Sequence, residues 1–250
     1  MKLQAFFENN PKIALAFSGG ADSAYLLYAA IRHGAQVRAY YVKSAFQPQF
    51  ELDDAVRLAD ELHADLKILS LDILAEPEIA ANSPNRCYYC KRKIFSAIWQ
   101  AAKADGFAVL MDGTNASDDA GDRPGMRALR ELSVRYPLRE CGISKAEVRR
   151  LSREAGLFTW NKPAYACLAT RIPTGESITL EKLQTTEKAE NALFSLGFSD
   201  FRIRLMDGCA RLQMPEEQLP RLVEQRKAVL TALGTYYSGV LLDLEVRDEQ

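Results

Sequence analysis

The chain has 250 residues, enough for one large domain or a domain with a small companion, and 48% of them are apolar, enough for a full core. Thirty-two Lys and Arg against 33 Asp and Glu leave a net charge of -1, so no global field draws the chain to nucleic acid or a membrane surface; a local basic patch is still open to it. Met1 to Pro11 has no apolar leader core and no run reaches transmembrane length, so a cytoplasmic protein is expected, in which five cysteines argue for a metal, a cluster or reactive thiols before disulfides.

The first informative stretch is Lys12-Ile13-Ala14-Leu15-Ala16-Phe17-Ser18-Gly19-Gly20-Ala21-Asp22-Ser23. It reads as a buried strand, a tight turn and a helix whose first turn carries Asp22 and Ser23. Adjacent glycines let backbone approach a ligand, and open amides at a helix N-terminus favour anions. Ser18 and Ser23 add hydroxyl donors, and Asp22 can reach a phosphate-bound Mg2+. The plain alternative is a strand-to-helix turn without a ligand. The spacing fits neither the phosphate loop that ends in Gly-Lys-Ser/Thr nor the dinucleotide fingerprint. It resembles the SGGxDS signature of the PP-loop ATP pyrophosphatases, which cleave ATP between its α and β phosphates and adenylate a substrate.

After a helix ending near Gly34, strands are expected at Val37–Ser44, Leu66–Leu71 and Ala108–Met111, with helices at Glu51–His63 and Cys87–Ala104. Strands alternating with helices predict an α/β fold with a doubly wound, mostly parallel sheet, whose ligands bind at the strands' C-terminal ends. The opening turn and Asp112-Gly113-Thr114-Asn115 both fall at that edge, followed by a polar loop over Ala116–Gly125 that also reads as plain solvated loop. Ile143–Leu157 reads as a helix with Ser144 and Glu147 as a capping box. Trp160–Gly175 has no period and marks the domain boundary. Beyond it, a helix (Thr179–Leu196), a hairpin (Phe201–Leu205 and Ala210–Met214 across Asp207-Gly208), a helix (Glu216–Leu233) and a strand (Val240–Val246) predict a small α+β domain. The expected division is 1–160, a linker at 161–178, and 179–250.

Cys87-Tyr88-Tyr89-Cys90 stands at a helix start, followed by Lys91, Arg92 and Lys93. Two thiols three apart can chelate one metal or one cluster edge, and neighbouring cations favour thiolates. A redox pair, half a zinc site and two ordinary thiols are the competing readings. Cys167 is the third candidate, in a loop with Arg171 close in sequence, and three cysteines without a fourth suit a cubane with one open iron. Cys141 and Cys209 read as small apolar packing. His33 and His63 lie in helical patterns, and no His-ligated zinc site is expected. Arg202-Ile203-Arg204 on a strand puts two guanidiniums on one face, suited to phosphate or to a soluble strand edge.

Together Ser18-Gly19-Gly20-Ala21-Asp22-Ser23, Cys87-Tyr88-Tyr89-Cys90-Lys91, Asp112-Gly113-Thr114-Asn115, Asp122-Arg123-Pro124-Gly125 and Trp160-Asn161-Lys162-Pro163 with Cys167 resemble the LarE family, the PP-loop sulfur transferases that mature the nickel-pincer cofactor of lactate racemase. The resemblance spans nearly the whole chain. It implies that ATP and Mg2+ adenylate the carboxylates of pyridinium-3,5-biscarboxylic acid mononucleotide, which become thiocarboxylates. One family variant surrenders the sulfur of the cysteine matching Cys167. The other holds a [4Fe-4S] cluster on three cysteines, its open iron carrying sulfide, and Cys87, Cys90 and Cys167 place this chain with the second. The same resemblance puts Arg202, Arg204, Glu187 and Thr170 at the substrate phosphate, between subunits of a hexamer or trimer. The family can have Glu where Gln213 stands, which leaves a metal role there in doubt. The expected catalytic set is Cys167, Asp22 and Lys91. The nucleotide contacts are Ser18, Gly19, Gly20, Asp22, Ser23, Ser44 and Gly113. The expected partners are a small nucleotide substrate and a sulfide source, with no membrane or nucleic acid among them. Rival readings are a tRNA-thiolating or an ammonia-using amidating PP-loop enzyme, a sacrificial Cys167 donor, and a non-catalytic nucleotide or metal module.

Overall fold

The computed structural model of the chain describes residues 2–118, 121 and 124–247. Asp122 and Arg123, which open one of the motifs above, lie outside the described residues. In chain order the first elements are α1 (Leu3–Asn9), β1 (Lys12–Ala16), α2 (Ala21–Arg32), β2 (Gln36–Lys43), α3 (Gln49–Glu61), β3 (Asp65–Ser70), α4 (Pro77–Ala80), α5 (Arg86–Ala104) and β4 (Leu110–Met111). Then follow α6 (Pro124–Glu131), α7 (Pro137–Glu140), α8 (Lys145–Glu154), α9 (Leu180–Ser195), β5 (Arg202–Met206), β6 (Cys209–Gln213), α10 (Leu219–Glu224), α11 (Arg226–Leu233) and β7 (Val240–Leu242). Two compact units result. One comprises Met1–Ile73 and Asn85–Lys162, the other Leu74–Pro84 and Pro163–Gln250.

The first unit is built on a parallel sheet in the order β3-β2-β1-β4. Alternation along each strand assigns its two faces. Ile13 and Leu15 of β1 and Val37, Ala39 and Tyr41 of β2 pack with Phe6 and Phe7 of α1, Leu26 and Leu27 of α2 and Val148 of α8. Ala14, Tyr40 and Val42 point the other way, into Phe95 and Ile98 of α5 and Met126 and Leu129 of α6. A sheet buried on both faces explains why these strands read as nearly continuous apolar runs. It is the doubly wound α/β arrangement expected. The chain leaves β1 for β2 and β3 on one side and returns as β4 on the other, so the sheet's switch point lies between β1 and β4.

The second unit carries a three-stranded sheet, β5-β6-β7, antiparallel between β5 and β6 and parallel between β6 and β7. Asp207 (φ 50°) and Gly208 (φ 77°) both take left-handed backbone, the geometry of a two-residue hairpin turn that matches strand twist. Ile203, Ala210 and Leu212 of the sheet pack on Leu193 of α9 and Val229 and Leu233 of α11. The single helix expected over Glu216–Leu233 is a short 3-10 turn and two helices that meet at Gln225 (φ -90°, ψ 11°), with Pro220 starting the first of them. The strand after it stops at Leu242 rather than Val246. Leu74–Pro84 joins this unit through backbone: Gly175 N donates to Asn82 O and Ile178 N to Ala80 O. Among the described residues no helix is long and apolar enough to cross a membrane.

Candidate functional site

After β1, Phe17 still donates its amide to Tyr40 O at 2.9 Å, and then the chain turns. Gly19 has φ +73°, and a Cβ there would lie 3.1 Å from Ala55 Cβ and 3.2 Å from Glu51 O of α3. Backbone and space both reserve that position for glycine. Gly20 caps α2 in extended conformation, and the first intrahelical bond runs from Ala24 N to Gly20 O. The amides of Ala21, Asp22 and Ser23 are therefore the helix's open N-terminal donors. The serines brace this turn. Ser23 Oγ donates to Gly20 O (3.1 Å) and accepts from Ser18 N (3.3 Å), while Ser18 Oγ accepts from Gly20 N (3.3 Å) and meets Ser23 Oγ at 3.1 Å. The sequence reading assigns these hydroxyls to the ligand; here their first contacts hold the loop in shape.

The neighbouring strand ends close the edge. A Cβ on Gly113 would come 2.8 Å from Ser23 N and 3.1 Å from Asp22 C, so the turn after β4 rests directly on the start of α2. Asp112 is buried at the end of that strand, and burial pushes its carboxyl up, against the opposing pull of the Thr114 amide and the Lys91 charge. Lys91 lies along α6, where a Cβ on Gly125 would touch its Cδ at 3.0 Å. Ser44, at the end of β2, is buried; its hydroxyl donates to Gln47 Oε1 at 2.7 Å and accepts from Phe46 N at 3.2 Å.

Asp22 is held from two sides. Asn115 Nδ2 donates to Oδ1 at 3.1 Å, and Lys145 Nζ lies 2.5 Å from Oδ2. Lys162 flanks the loop's other end, 3.5 Å from Gly19 O and 2.7 Å from Asp54 Oδ2. Cys87 and Cys90 share the first turns of α5, where residues three apart stand on one face. That segment is pinned to α6, since Tyr88 donates to Glu131 Oε2 (2.7 Å) and Arg127 stacks on its ring (4.2 Å). Arg86 is buried, and its NH2 donates to Cys87 Sγ at 3.7 Å.

Cys167 belongs to the second unit, in a loop built on a buried ion pair. Arg171 Nε lies 2.7 Å from Glu190 Oε1, and both side chains are almost wholly buried (0% and 2% exposed). Arg171 NH1 donates to Ala166 O and to Thr170 Oγ1, and Thr170 Oγ1 donates to Cys167 O. Tyr165 OH donates to Glu190 Oε2. Arg171, expected as a positive neighbour of the thiol, thus commits its charge to Glu190. Arg202 and Arg204 share one face of β5, and the register sets Arg211 of β6 opposite Arg204. Burial, with the charges of Arg171, Arg247 and Arg204, pushes Arg202 down to about 10. Burial and the charges of Arg171 and Arg211 lower Arg204 as well. The Nε atoms of Arg204 and Arg211 are buried without a hydrogen-bond partner, although Asp243 Oδ2 lies 3.4 Å from Arg211 Nε as an ion pair. Glu187 stands half-buried on α9, one turn before Glu190. Among the described residues neither unit by itself gathers three or more His, Cys, Asp or Glu side chains as a ligand group.

No family model matches the chain. An uncharacterised protein of Synechocystis sp. is 36% identical over 97% of this chain and 92% of its own length. The pyridinium-3,5-bisthiocarboxylic acid mononucleotide synthase of Lactiplantibacillus plantarum is 34% identical over 97% of this chain and 89% of its own. The chain belongs to the LarE family. As a member of the LarE family it is an enzyme. The tRNA-specific 2-thiouridylase MnmA of Thermotoga neapolitana is a more distant relative, 24% identical over 92% of this chain and 79% of its own.

Five residues that make these contacts are missing from the sequence-based set. Lys145 carries one signal, its place directly after the Ser144 cap, where a cation runs against the helix dipole. Asn115 and Lys162 stand inside motifs noted in the sequence, yet nothing local assigns them a partner. Glu190 and Arg211 of the second unit have no signal beyond charge.

Proposed function

We propose that the protein is an ATP-dependent sulfurtransferase that converts the carboxylates of pyridinium-3,5-biscarboxylic acid mononucleotide to thiocarboxylates. The observation that carries this reading is the loop from Ser18 to Ser23, whose hydroxyls brace a turn of open amides with Asp22 at its rim. Such a turn favours the pyrophosphate of ATP, and Asp22, which already holds a cation in Lys145, fits a Mg2+ carried by the nucleotide. A substrate carboxylate attacks the α-phosphorus and pyrophosphate leaves on the amides of α2. The acyl-adenylate is a far better electrophile than the carboxylate. Hydrosulfide adds to its carbonyl carbon and AMP departs, leaving a thiocarboxylate and one proton.

Cys87 and Cys90, on one helical face, fit two ligands of a [4Fe-4S] cluster, and Cys167 is the third thiol we assign to it. When bound, the cluster supplies a soft iron site for sulfide. The arginine face of the second unit suits the substrate phosphate: Arg202 and Arg204 share one face of β5, and Arg204 Nε is a buried donor without a hydrogen-bond partner. We assign Thr170 and Glu187 to the same substrate, Lys91 to the substrate's charge, and Ser44 and Gly113 to the nucleotide, and we read the active form as a homo-oligomer, hexameric or trimeric.

Anaerobic protein should be brown with about four irons per chain. Supplied with ATP and sulfide, it should turn over more than once per chain and keep the mass of Cys167. A colourless protein that makes one product per chain and ends with dehydroalanine at Cys167 refutes the cluster route in favour of a sacrificial thiol.

A further inference from the structure

Arg86 is the buried cation of the cysteine segment. It opens α5, one residue before Cys87 and one helical turn before Cys90, and it is 8% exposed, whereas Lys91, Arg92 and Lys93 all reach solvent at least in part. Helix stability does not account for it, because a cation at a helix N-terminus runs against the dipole. Nor does an ion pair. Among the described residues no carboxylate pairs with it, and its NH1 is buried without a hydrogen-bond partner. NH2 donates to Cys87 Sγ at 3.7 Å, so the guanidinium is turned toward the thiol. The centroid of the buried Phe46 ring lies 6.0 Å from the guanidinium carbon and adds apolar cover. Phe46 belongs to the turn after β2 that Ser44 holds, at the C-terminal edge of the parallel sheet. A guanidinium buried in this way leaves both a charge and a donor to be matched. The sulfur of Cys87 is the one acceptor that the structure sets beside it.

We propose that Arg86 is a sulfide-positioning residue of the cysteine site: one arm of its guanidinium rests on the Cys87 sulfur, and the other, NH1, holds a hydrosulfide anion brought beside it. The proposal rests on the reading of Cys87 and Cys90 as cluster ligands and adds to it the residue that holds the second anion. Three thiolates on a [4Fe-4S]2+ core leave a net negative charge, and hydrosulfide adds another, so a fixed buried cation offsets their repulsion. The planar guanidinium presents its donors in a rigid fork, and one arm can stay on Cys87 while the other takes a second acceptor. Burial that makes an unmatched donor costly also makes the same donor strong toward an anion, because a low local dielectric raises the attraction.

Arg86→Met keeps an unbranched side chain and removes the charge and the donors. Cluster-free Arg86→Met should melt no lower than cluster-free wild type, because the guanidinium has no carboxylate to leave behind. Loaded anaerobically with iron and sulfide, the variant should bind added sodium sulfide about tenfold more weakly or worse, in a titration followed by visible absorption. Its cluster should be harder to reduce by a similar factor, a fall of about 59 mV in the one-electron midpoint potential. Arg86→Lys, which restores the charge without the fork, should hold its iron and recover much of the potential, with sulfide still bound several-fold more weakly than by the wild type. Wild-type sulfide affinity in either loaded variant overturns the proposal, whatever the potential. A lower melting point for cluster-free Arg86→Met marks the arginine as structural and overturns it as well. If wild-type protein itself takes up no iron, the cluster reading falls and this proposal with it; iron uptake with unchanged sulfide binding in the variants removes the proposal alone.

Discussion

Gly113→Ala tests how closely the two halves of the nucleotide edge are pressed together. The added Cβ would lie 2.8 Å from Ser23 N and 3.1 Å from both Asp22 C and Ser23 Cα. These are backbone atoms of the first turn of α2, so no side chain can rotate to make room. Relief requires the turn after β4 and the start of α2 to separate by about half an ångström, and overpacking of this kind costs about 1–3 kcal/mol. For a chain of this size that lowers the thermal midpoint by roughly 2–4 °C per kcal/mol. The same displacement moves Asp22, Ser23 and the open amides. Misplacement by 1 Å costs about a hundredfold in rate, so half of that distance should slow pyrophosphate release by roughly tenfold. Gly125→Ala provides the contrast, because its Cβ would meet Lys91 Cδ at 3.0 Å, a flexible side chain that can swing aside. Its midpoint should stay near that of the wild type. Differential scanning fluorimetry with a pyrophosphate-release assay reads both effects. Wild-type melting and wild-type release from Gly113→Ala would refute the close apposition of the two backbones.

Two further outcomes concern stability. Glu190→Gln should destabilise the second unit by about 3–5 kcal/mol in urea unfolding, because Arg171 would be left buried without its counter-charge; a change under about 1 kcal/mol would show the pair to be dispensable. Asp105 accepts hydrogen bonds from Lys67 and Tyr40 and pairs with Arg38, which holds its carboxyl down at about 2. Its folded value lies below its unfolded one, so its stabilisation is full above about pH 4 and is lost as pH falls through about 2. Thermal midpoints of Asp105→Asn should therefore depend less on pH across that window than those of the wild type, and equal slopes would contradict the assignment.

Much of the first unit is legible because its physics is local. Parallel strands buried on both faces must be apolar along their length, and β1 and the centre of β2 announce themselves that way. In contrast β3, at the sheet's edge, has no buried residue and shows only through Leu66, Ile68 and Leu69 between polar positions. The loop is legible for a similar reason, since the left-handed backbone of Gly19 is a local constraint that glycine answers, although the close approach of α3 to the same residue is not readable from its neighbours. Ser144 accepts from Glu147 N and Thr179 from Lys182 N, so two helix starts are readable from their caps. The short α1 carries Leu3, Phe6 and Phe7 on one face, but seven residues give too little period to distinguish it from an unstructured lead-in. The break at Gln225 is invisible for the opposite reason. Residues Leu219 to Leu233 keep an apolar period across it, and only tertiary packing separates α10 from α11.

What the sequence withholds at the site is pairing. Periodicity says which face a side chain occupies and nothing about which charge meets it. Asp22 is readable as a functional acid from its place after two glycines, yet its partners come from Asn115 and Lys145, 93 and 123 residues further on. Arg171 shows the consequence of choosing a partner by proximity in sequence. Four residues from Cys167, it looks like the cation that activates a thiol, whereas burial requires a full counter-charge, which Glu190 supplies from α9. Arg202 and Arg204 show the reverse. Alternation alone puts them on one face, and the register then adds Arg211 opposite Arg204, an arrangement that like charges resist. Two arginines set across a strand pair, each with a buried Nε lacking a hydrogen-bond partner and with Asp243 as the carboxylate paired with Arg211, suit the anion-binding role proposed for this sheet.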